Sequence, residues 1–78
     1  MNKSVLLDIL AHARLRAARR DLLISHQRTF IAALEREGVD IAETRRSLSA
    51  LTDARERDLT EMDWALDELD KSQRHAIG

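Results

Sequence analysis

Histidine and aspartate side chains near both ends of the chain are the residues whose types could bind a metal ion. Asp8 and His12 stand four residues apart and would share one face of a helix. An antiparallel partner segment would bring Asp67 and Asp70 opposite them, and imidazole and carboxylate groups bind divalent metals. The sequence lacks the Glu-x-x-His pairs of di-iron bundles, however, and it has no cysteine. We therefore predict no metal site and no cofactor.

Nucleophilic catalysis finds little support in the sequence. Ser25 and His26 are adjacent, but neighbouring side chains on a helix point about 100° apart and do not face each other. The other serines lack the flanking glycines of a nucleophile elbow. A chain of 78 residues folded as a small hairpin offers no pocket of the size that substrates need. We expect no catalytic residues and no enzymatic activity.

A basic cluster in the first half is the one feature that could bind nucleic acid. Arg14, Arg16 and Arg19, with Arg20 beside them, would give a helix a phosphate-attracting face. The chain as a whole carries a net charge of −1, and an acidic segment in the second half could neutralise the cluster. A nucleic-acid accessory role through Arg14, Arg16 and Arg19 is therefore an alternative that we do not favour.

The segments that must position these groups are two long helices. The chain has no proline, and Gly38 is its only internal glycine, so Gly38 is the one strong helix terminator. We predict a helix over about 4–36 with Ser4 as N-cap, a turn at 37–40 and a helix over about 40–75. Asp40 would cap the second helix, with Glu43 completing a capping box. The fold class is all-α, an antiparallel, coiled-coil-like helical hairpin forming one domain over residues 1–78.

Each predicted helix carries an apolar stripe whose members alternate at four- and three-residue steps, as in a coiled coil. The first stripe comprises Leu6, Leu10, Ala13, Ala17, Arg20, Ile24, Gln27, Ile31 and Leu34. The second comprises Ile41, Thr44, Leu48, Leu51, Arg55, Asp58, Met62, Leu66 and Leu69. A reversal at Gly38 pairs residues whose numbers add to about 78. It predicts that Arg20 meets Asp58, that small Ala13 meets large Leu66, and that the basic cluster faces the acidic one.

One hairpin seam leaves apolar side chains uncovered. Leu15, Leu22, Leu23 and Phe30 lie off the first stripe, and the single tryptophan, Trp64, lies off the second. Apolar surface in this amount calls for a further partner. A twofold pair of hairpins would cover it as a four-helix bundle, so we expect a homodimer. Trp64 could instead anchor an unidentified protein partner or lie over neighbouring aliphatic stems. The sequence thus favours a non-enzymatic protein–protein interaction or regulatory module.

Composition also predicts the compartment. The early apolar run of residues 5–10 is too short for a signal-peptide core, and Asp8 interrupts it. Charged residues make up 35% of the chain and are spread throughout, which argues against a membrane span. Without cysteine there is no sign of an oxidising compartment. We expect a cytoplasmic protein with no membrane association.

The middle third carries a resemblance. It reads His26-Gln27-Arg28, Phe30-Ile31, Leu34-Glu35-Arg36, Gly38, Asp40, Arg45, Leu48 and Leu51. This pattern resembles small uncharacterised helical-hairpin proteins of bacteria, which implies a fold and no activity. The chain is also similar in outline to the Spo0E-like aspartyl-phosphate phosphatases, short helical hairpins with a Ser-Gln-x-x-Leu-Asp signature. The comparable place here, from Ser47 to Asp53, lacks the glutamine. That similarity implies a phosphorelay modulator as a further alternative.

Overall fold

Two long helices form an antiparallel hairpin. The computed structural model describes residues 2–77, and the side chains of residues 2–74. Helix α1 is Lys3–Arg36 and helix α2 is Ala42–Ile77, and no strand occurs within the described residues. The hairpin measures 63 × 14 × 14 Å, so its width is little more than two helices in contact. The predicted all-α hairpin is confirmed.

Helix α1 begins slightly earlier than predicted. Asn2 is the N-cap, and its Oδ1 accepts a hydrogen bond from the backbone N–H of Ser4 at 2.8 Å. The prediction of Ser4 as N-cap was wrong. Asparagine caps as well as serine does, so the helix extends to the first residue that can satisfy a free N–H.

The turn at Gly38 has the conformation that the sequence predicted. Gly38 has a φ of 73°, in the left-handed region that glycine adopts at little cost. The N–H of Val39 donates to the carbonyl of Leu34, and the N–H of Gly38 donates to the carbonyl of Glu35, each at 3.1 Å. These two hydrogen bonds form a Schellman motif, which satisfies carbonyls at the end of α1 and reverses the chain.

Helix α2 begins later than predicted. The N–H of Arg45 donates to the carbonyl of Ile41 at 2.9 Å, which puts Ile41 in the N-cap position. Asp40 does not act as a helix N-cap with Glu43 in a capping box, so that prediction was wrong. Its Oδ1 instead accepts from the N–H of Ala42 at 3.0 Å, in an Asx turn just before the helix. The carboxylate still satisfies one free N–H of the first turn.

The core is a single seam between the helices. On α1 the buried residues all belong to the predicted stripe: Leu6, Leu10, Ala13, Ala17, Ile24 and Ile31. On α2, over residues 42–74, the buried residues are Ala54, Asp58 and Ala65. Leu66, predicted to meet Ala13 in the seam, has 44% of its surface exposed, whereas Ala65 has none. The placement of Leu66 in the seam was therefore wrong.

The heptad repeat explains the exchange of Leu66 for Ala65. Steps of seven residues from Leu51 lead to Asp58 and then to Ala65, which keeps the same face toward α1. Ala13 and Ala65 are both fully buried and lie at the same level of the hairpin. The helices therefore meet small residue against small residue there, not small against large. Leucine is the more apolar choice, but the repeat, and not hydrophobicity, decides which side chain faces the seam.

Candidate interaction surfaces and the buried ion-pair cluster

A buried carboxylate with two arginines lies in the middle of the seam. Asp58 has only 5% of its surface exposed. The Nε of Arg20 donates to Asp58 Oδ2 at 2.5 Å, and the Nε of Arg16 donates to Asp58 Oδ1 at 3.1 Å. Arg16 also donates from a terminal guanidinium nitrogen to Glu61 Oε2 at 2.8 Å. These four residues, here called the Asp58 cluster, neutralise the buried charge.

The cluster shifts the titration of its members. Burial by itself raises the pKa of Asp58, but the hydrogen bonds from Arg20 and Arg16 outweigh burial and hold that pKa below its ordinary value. The hydrogen bond to Asp58 raises the pKa of Arg16, with Glu61 adding to the effect. The carboxylate is thus ionised and paired at neutral pH.

Ion pairs along the seam confirm the predicted register. Arg20 pairs with Asp58, as the reversal at Gly38 predicts. Further pairs join Asp21 to Arg55 and Glu35 to Arg45. Among the side chains of residues 2–74, each cross-helix ion pair joins residues whose numbers add to between 74 and 80. Electrostatic pairing and the apolar stripes therefore specify the same alignment.

This alignment divides the basic cluster of α1. Arg16 and Arg20 are held by Asp58 and are only partly exposed, whereas Arg14 and Arg19 are exposed. Much of the positive charge that suggested phosphate binding is thus balanced within the hairpin. The nucleic-acid alternative stays a prediction that rests mainly on Arg14 and Arg19.

The candidate metal ligands make other contacts. The Nδ1 of His12 lies 2.7 Å from the backbone carbonyl oxygen of Asp8, which accepts a hydrogen bond from it. Lys71 pairs with Asp67 at 3.2 Å, and Arg74 pairs with Asp70 at 3.0 Å. The hydrogen bond to Asp67 raises the pKa of Lys71. Among the side chains that the structure describes, no group of three or more His, Cys, Asp or Glu is placed to hold a metal ion.

Several concave surfaces lie along the hairpin. One is formed by successive turns of α2 alone, at Asp53, Glu56, Arg57 and Thr60. Others follow the side of the seam, one of them past Ile31, Leu48 and Thr52. Binding sites for small molecules usually enclose most of the ligand surface. These two grooves are largely open to solvent and would enclose little of a ligand's surface.

The predicted interaction residues are exposed. The exposed fraction is 50% for Leu15, 59% for Leu22, 48% for Leu23, 53% for Phe30 and 42% for Trp64. Large apolar side chains with this exposure leave much of their surface in water. The structure adds three that sequence reasoning did not single out, namely Val5, Leu7 and Val39, with 46–47% exposed. They could have been found from their positions outside the seam stripes.

These side chains form separate surfaces. Leu15 and Leu22 lie on the side of α1 away from the seam, whereas Leu23 and Phe30 lie on the flank that also carries Arg16. The register places Trp64 level with residue 14 of α1, about 13 Å along the axis from Leu23 and about 24 Å from Phe30. The tryptophan therefore does not form one patch with Leu23 and Phe30.

A polar side chain inside the seam lacks a partner. The Oε1 of Gln27 is buried and has no hydrogen bond among the described residues. An unsatisfied buried polar atom costs about 1–3 kcal/mol. The seam is thus weaker between the Asp58 cluster and the turn than a wholly apolar seam would be.

Neither helix, over the described residues, has an apolar stretch long enough to cross a membrane. Comparison of the chain with protein-family models, with curated proteins and with solved structures gives no match.

Proposed function

We propose that this protein is a non-enzymatic helix-association module that acts as a homodimer, with two hairpins packed into a four-helix bundle. The observation that carries the proposal is the exposed apolar surface of α1. Four large side chains, Leu15, Leu22, Leu23 and Phe30, are each about half exposed along that helix. Large apolar side chains exposed in this number are typical of an association site.

The free energy gained by burying these side chains supports a second copy of the chain as the partner. Full burial of a leucine or phenylalanine side chain contributes about 1.5–3 kcal/mol, so covering the exposed half of each would contribute roughly 1 kcal/mol. In a symmetric dimer each of these residues is buried once on each subunit, so its contribution to the free energy of association is doubled. A chain of 78 residues has a small core, and oligomerisation is a common way for such chains to gain stability.

Sedimentation equilibrium tests the proposal directly. We expect the wild-type chain to be a dimer at micromolar concentration and Leu22→Glu to shift it to monomer, because a carboxylate would then be buried in an apolar contact. Thr60→Glu is the matched control, since it introduces the same side chain at an exposed position of α2. A wild-type chain that stays a folded monomer at about 100 μM, well above the range that useful association needs, would contradict the homodimer.

A further inference from the structure

The outer stripe of α1, defined as Ala11, Leu15, Ala18 and Leu22, has the pattern of a self-complementary antiparallel contact. We infer that a second copy of α1 packs antiparallel against it, alanine against leucine, about a twofold axis near residues 16 and 17. This inference rests on the proposed homodimer and specifies which face and which orientation it uses.

The spacing places the outer stripe on one face. Its members follow at steps of four, three and four residues, the coiled-coil pattern. Ala11 and Ala18 are exposed, Leu15 is 50% exposed and Leu22 is 59% exposed. The seam residues lie on the other side of the helix, so the outer stripe is left free when α1 binds α2. Helix α1 thus has two coiled-coil faces, and α2 covers one of them.

Size complementarity selects the antiparallel orientation. With the twofold axis near residues 16 and 17, Leu15 lies against Ala18 of the second copy, and Leu22 lies against its Ala11. Every layer then pairs one large and one small side chain, which allows dense packing at close helix approach. A parallel dimer would instead place leucine against leucine and alanine against alanine, which makes the layers alternately crowded and loose.

Charge complementarity selects the same orientation. Arg14 and Asp21 both flank the stripe on one side, at equivalent positions of successive heptads. The antiparallel contact brings Arg14 beside Asp21 of the second copy, and symmetry repeats the pair. Asp21 also accepts from Arg55, but it is 56% exposed at its side chain, and a carboxylate can accept several hydrogen bonds. A parallel contact would bring Arg14 beside Arg19 of the second copy, which is repulsive.

The resulting assembly has a defined order of helices. The two α1 helices form its centre, and each α2 lies on the outside against its own α1. The flank with Leu23 and Phe30 then stays outside the central contact. Because the outer stripe lies opposite the seam, the four helices lie side by side in a row, so the proposed four-helix assembly has two seams and one central contact and no single shared core.

Cysteine cross-linking tests the register, because the chain has no cysteine of its own. Ala11→Cys protein mixed with Leu22→Cys protein should form a mixed disulfide under mild oxidation. Either variant alone should not, because two copies of residue 11 would lie about 16 Å apart along the axis and disulfides need Cα atoms within about 7 Å. A mixture of Leu23→Cys and Phe30→Cys is the matched control and should not cross-link.

A size exchange tests the packing. Ala18→Leu should weaken dimerisation at least about tenfold, because it overpacks two symmetric layers, and Leu15→Ala should weaken it as well. The double variant Leu15→Ala with Ala18→Leu restores one large and one small residue in each layer and should dimerise nearly as well as wild type. Both positions are exposed in the hairpin, so helicity measured by circular dichroism should be unchanged.

Charge reversal gives a third readout. Arg14→Asp should weaken dimerisation about tenfold, because two ion pairs become two repulsive pairs. Arg46→Asp, the same change at an exposed position on α2, should not.

The outcomes separate this inference from the homodimer proposal. A dimeric wild type that cross-links through Ala11→Cys alone, or through the Leu23→Cys and Phe30→Cys mixture, would overturn the antiparallel outer-stripe contact and leave the homodimer standing. A double variant at residues 15 and 18 as weak as the two single changes combined would do the same. A monomeric wild type would overturn both.

Discussion

Replacing Asp58 with asparagine should destabilise the hairpin more than any other single loss of charge in α2. The carboxylate is 5% exposed and accepts hydrogen bonds from both Arg16 and Arg20. Asparagine has nearly the same shape but no charge, and one of its two terminal groups donates instead of accepting. One of the two guanidinium groups would then face an amide N–H in the seam instead of an acceptor.

The magnitude follows from the burial of the three partners. Breaking a fully buried pair costs about 3–5 kcal/mol, whereas an exposed pair contributes about 0–1 kcal/mol. The Asp58 side chain is 7% exposed, but those of Arg16 and Arg20 are 38% and 31% exposed and can turn toward water. We therefore expect a loss of about 2 kcal/mol for Asp58→Asn, between the two limits.

Urea unfolding measures this loss. The single tryptophan, Trp64, lies six residues after Asp58 on the same helix, and its fluorescence can be followed beside circular dichroism at a fixed protein concentration. Asp63→Asn is the matched control, because it removes the same charge from an exposed position of α2. It should change the free energy of unfolding by less than about 0.5 kcal/mol.

Equal losses for Asp58→Asn and Asp63→Asn would refute the reasoning, since the cluster would then contribute no more than a surface charge. A second comparison isolates the contribution of the buried charges in the Asp58 cluster. Arg20→Met with Asp58→Leu fills the centre of the seam with apolar side chains and leaves Arg16 paired with Glu61, so it should destabilise less than Asp58→Asn alone.

Three further predictions concern the turn, the corrected seam position and pH. Gly38→Val should lower the free energy of unfolding by roughly 1 kcal/mol or more. The space around Gly38 is open, so the cost comes from holding a valine backbone at a φ of 73°. An unchanged melting temperature in thermal unfolding would count against the Schellman turn. Ala65→Leu should destabilise the hairpin by about 1–3 kcal/mol, because the larger side chain overpacks the seam. Leu66→Ala should destabilise it much less than the truncation of a buried leucine does. If urea unfolding showed a larger loss for Leu66→Ala than for Ala65→Leu, Leu66 would belong in the seam. Because pairing lowers the pKa of Asp58 in the folded state, its contribution is full above the ordinary value of 3.8 and is lost as pH falls through the lowered folded pKa. Acid should therefore destabilise wild type more steeply below about pH 4 than Asp58→Asn, and parallel pH curves for the two proteins would contradict this.

Local signals along the chain were sufficient to predict the helices and the turn. A chain without proline and with one internal glycine offers a single place to reverse, and the left-handed φ of Gly38 is what that residue type allows. The same reversal predicted the pairing of Arg20 with Asp58, because antiparallel register follows from the position of the turn. Helix ends were less accurate, since Asn2 and Ile41, not Ser4 and Asp40, stand at the caps.

Which side chains contact the facing helix could be determined only from the tertiary structure. Ala65 faces α1 while Leu66 does not, because the orientation of α2 about its own axis is shared by the whole seam and one residue's hydrophobicity cannot change it. Arg16 looked like part of a basic surface, and only the position of Asp58 and Glu61 showed that it pairs across the seam.

The amino-acid sequence by itself determined the two helices, their reversal at Gly38 and the register, because helix propensity, glycine conformation and heptad spacing are local or periodic properties. The tertiary structure decided which residues of α2 are buried, which arginines are paired and which face of α1 remains open. Those outcomes depend on how each helix is rotated toward the other, and rotation is settled by all the contacts of the seam together.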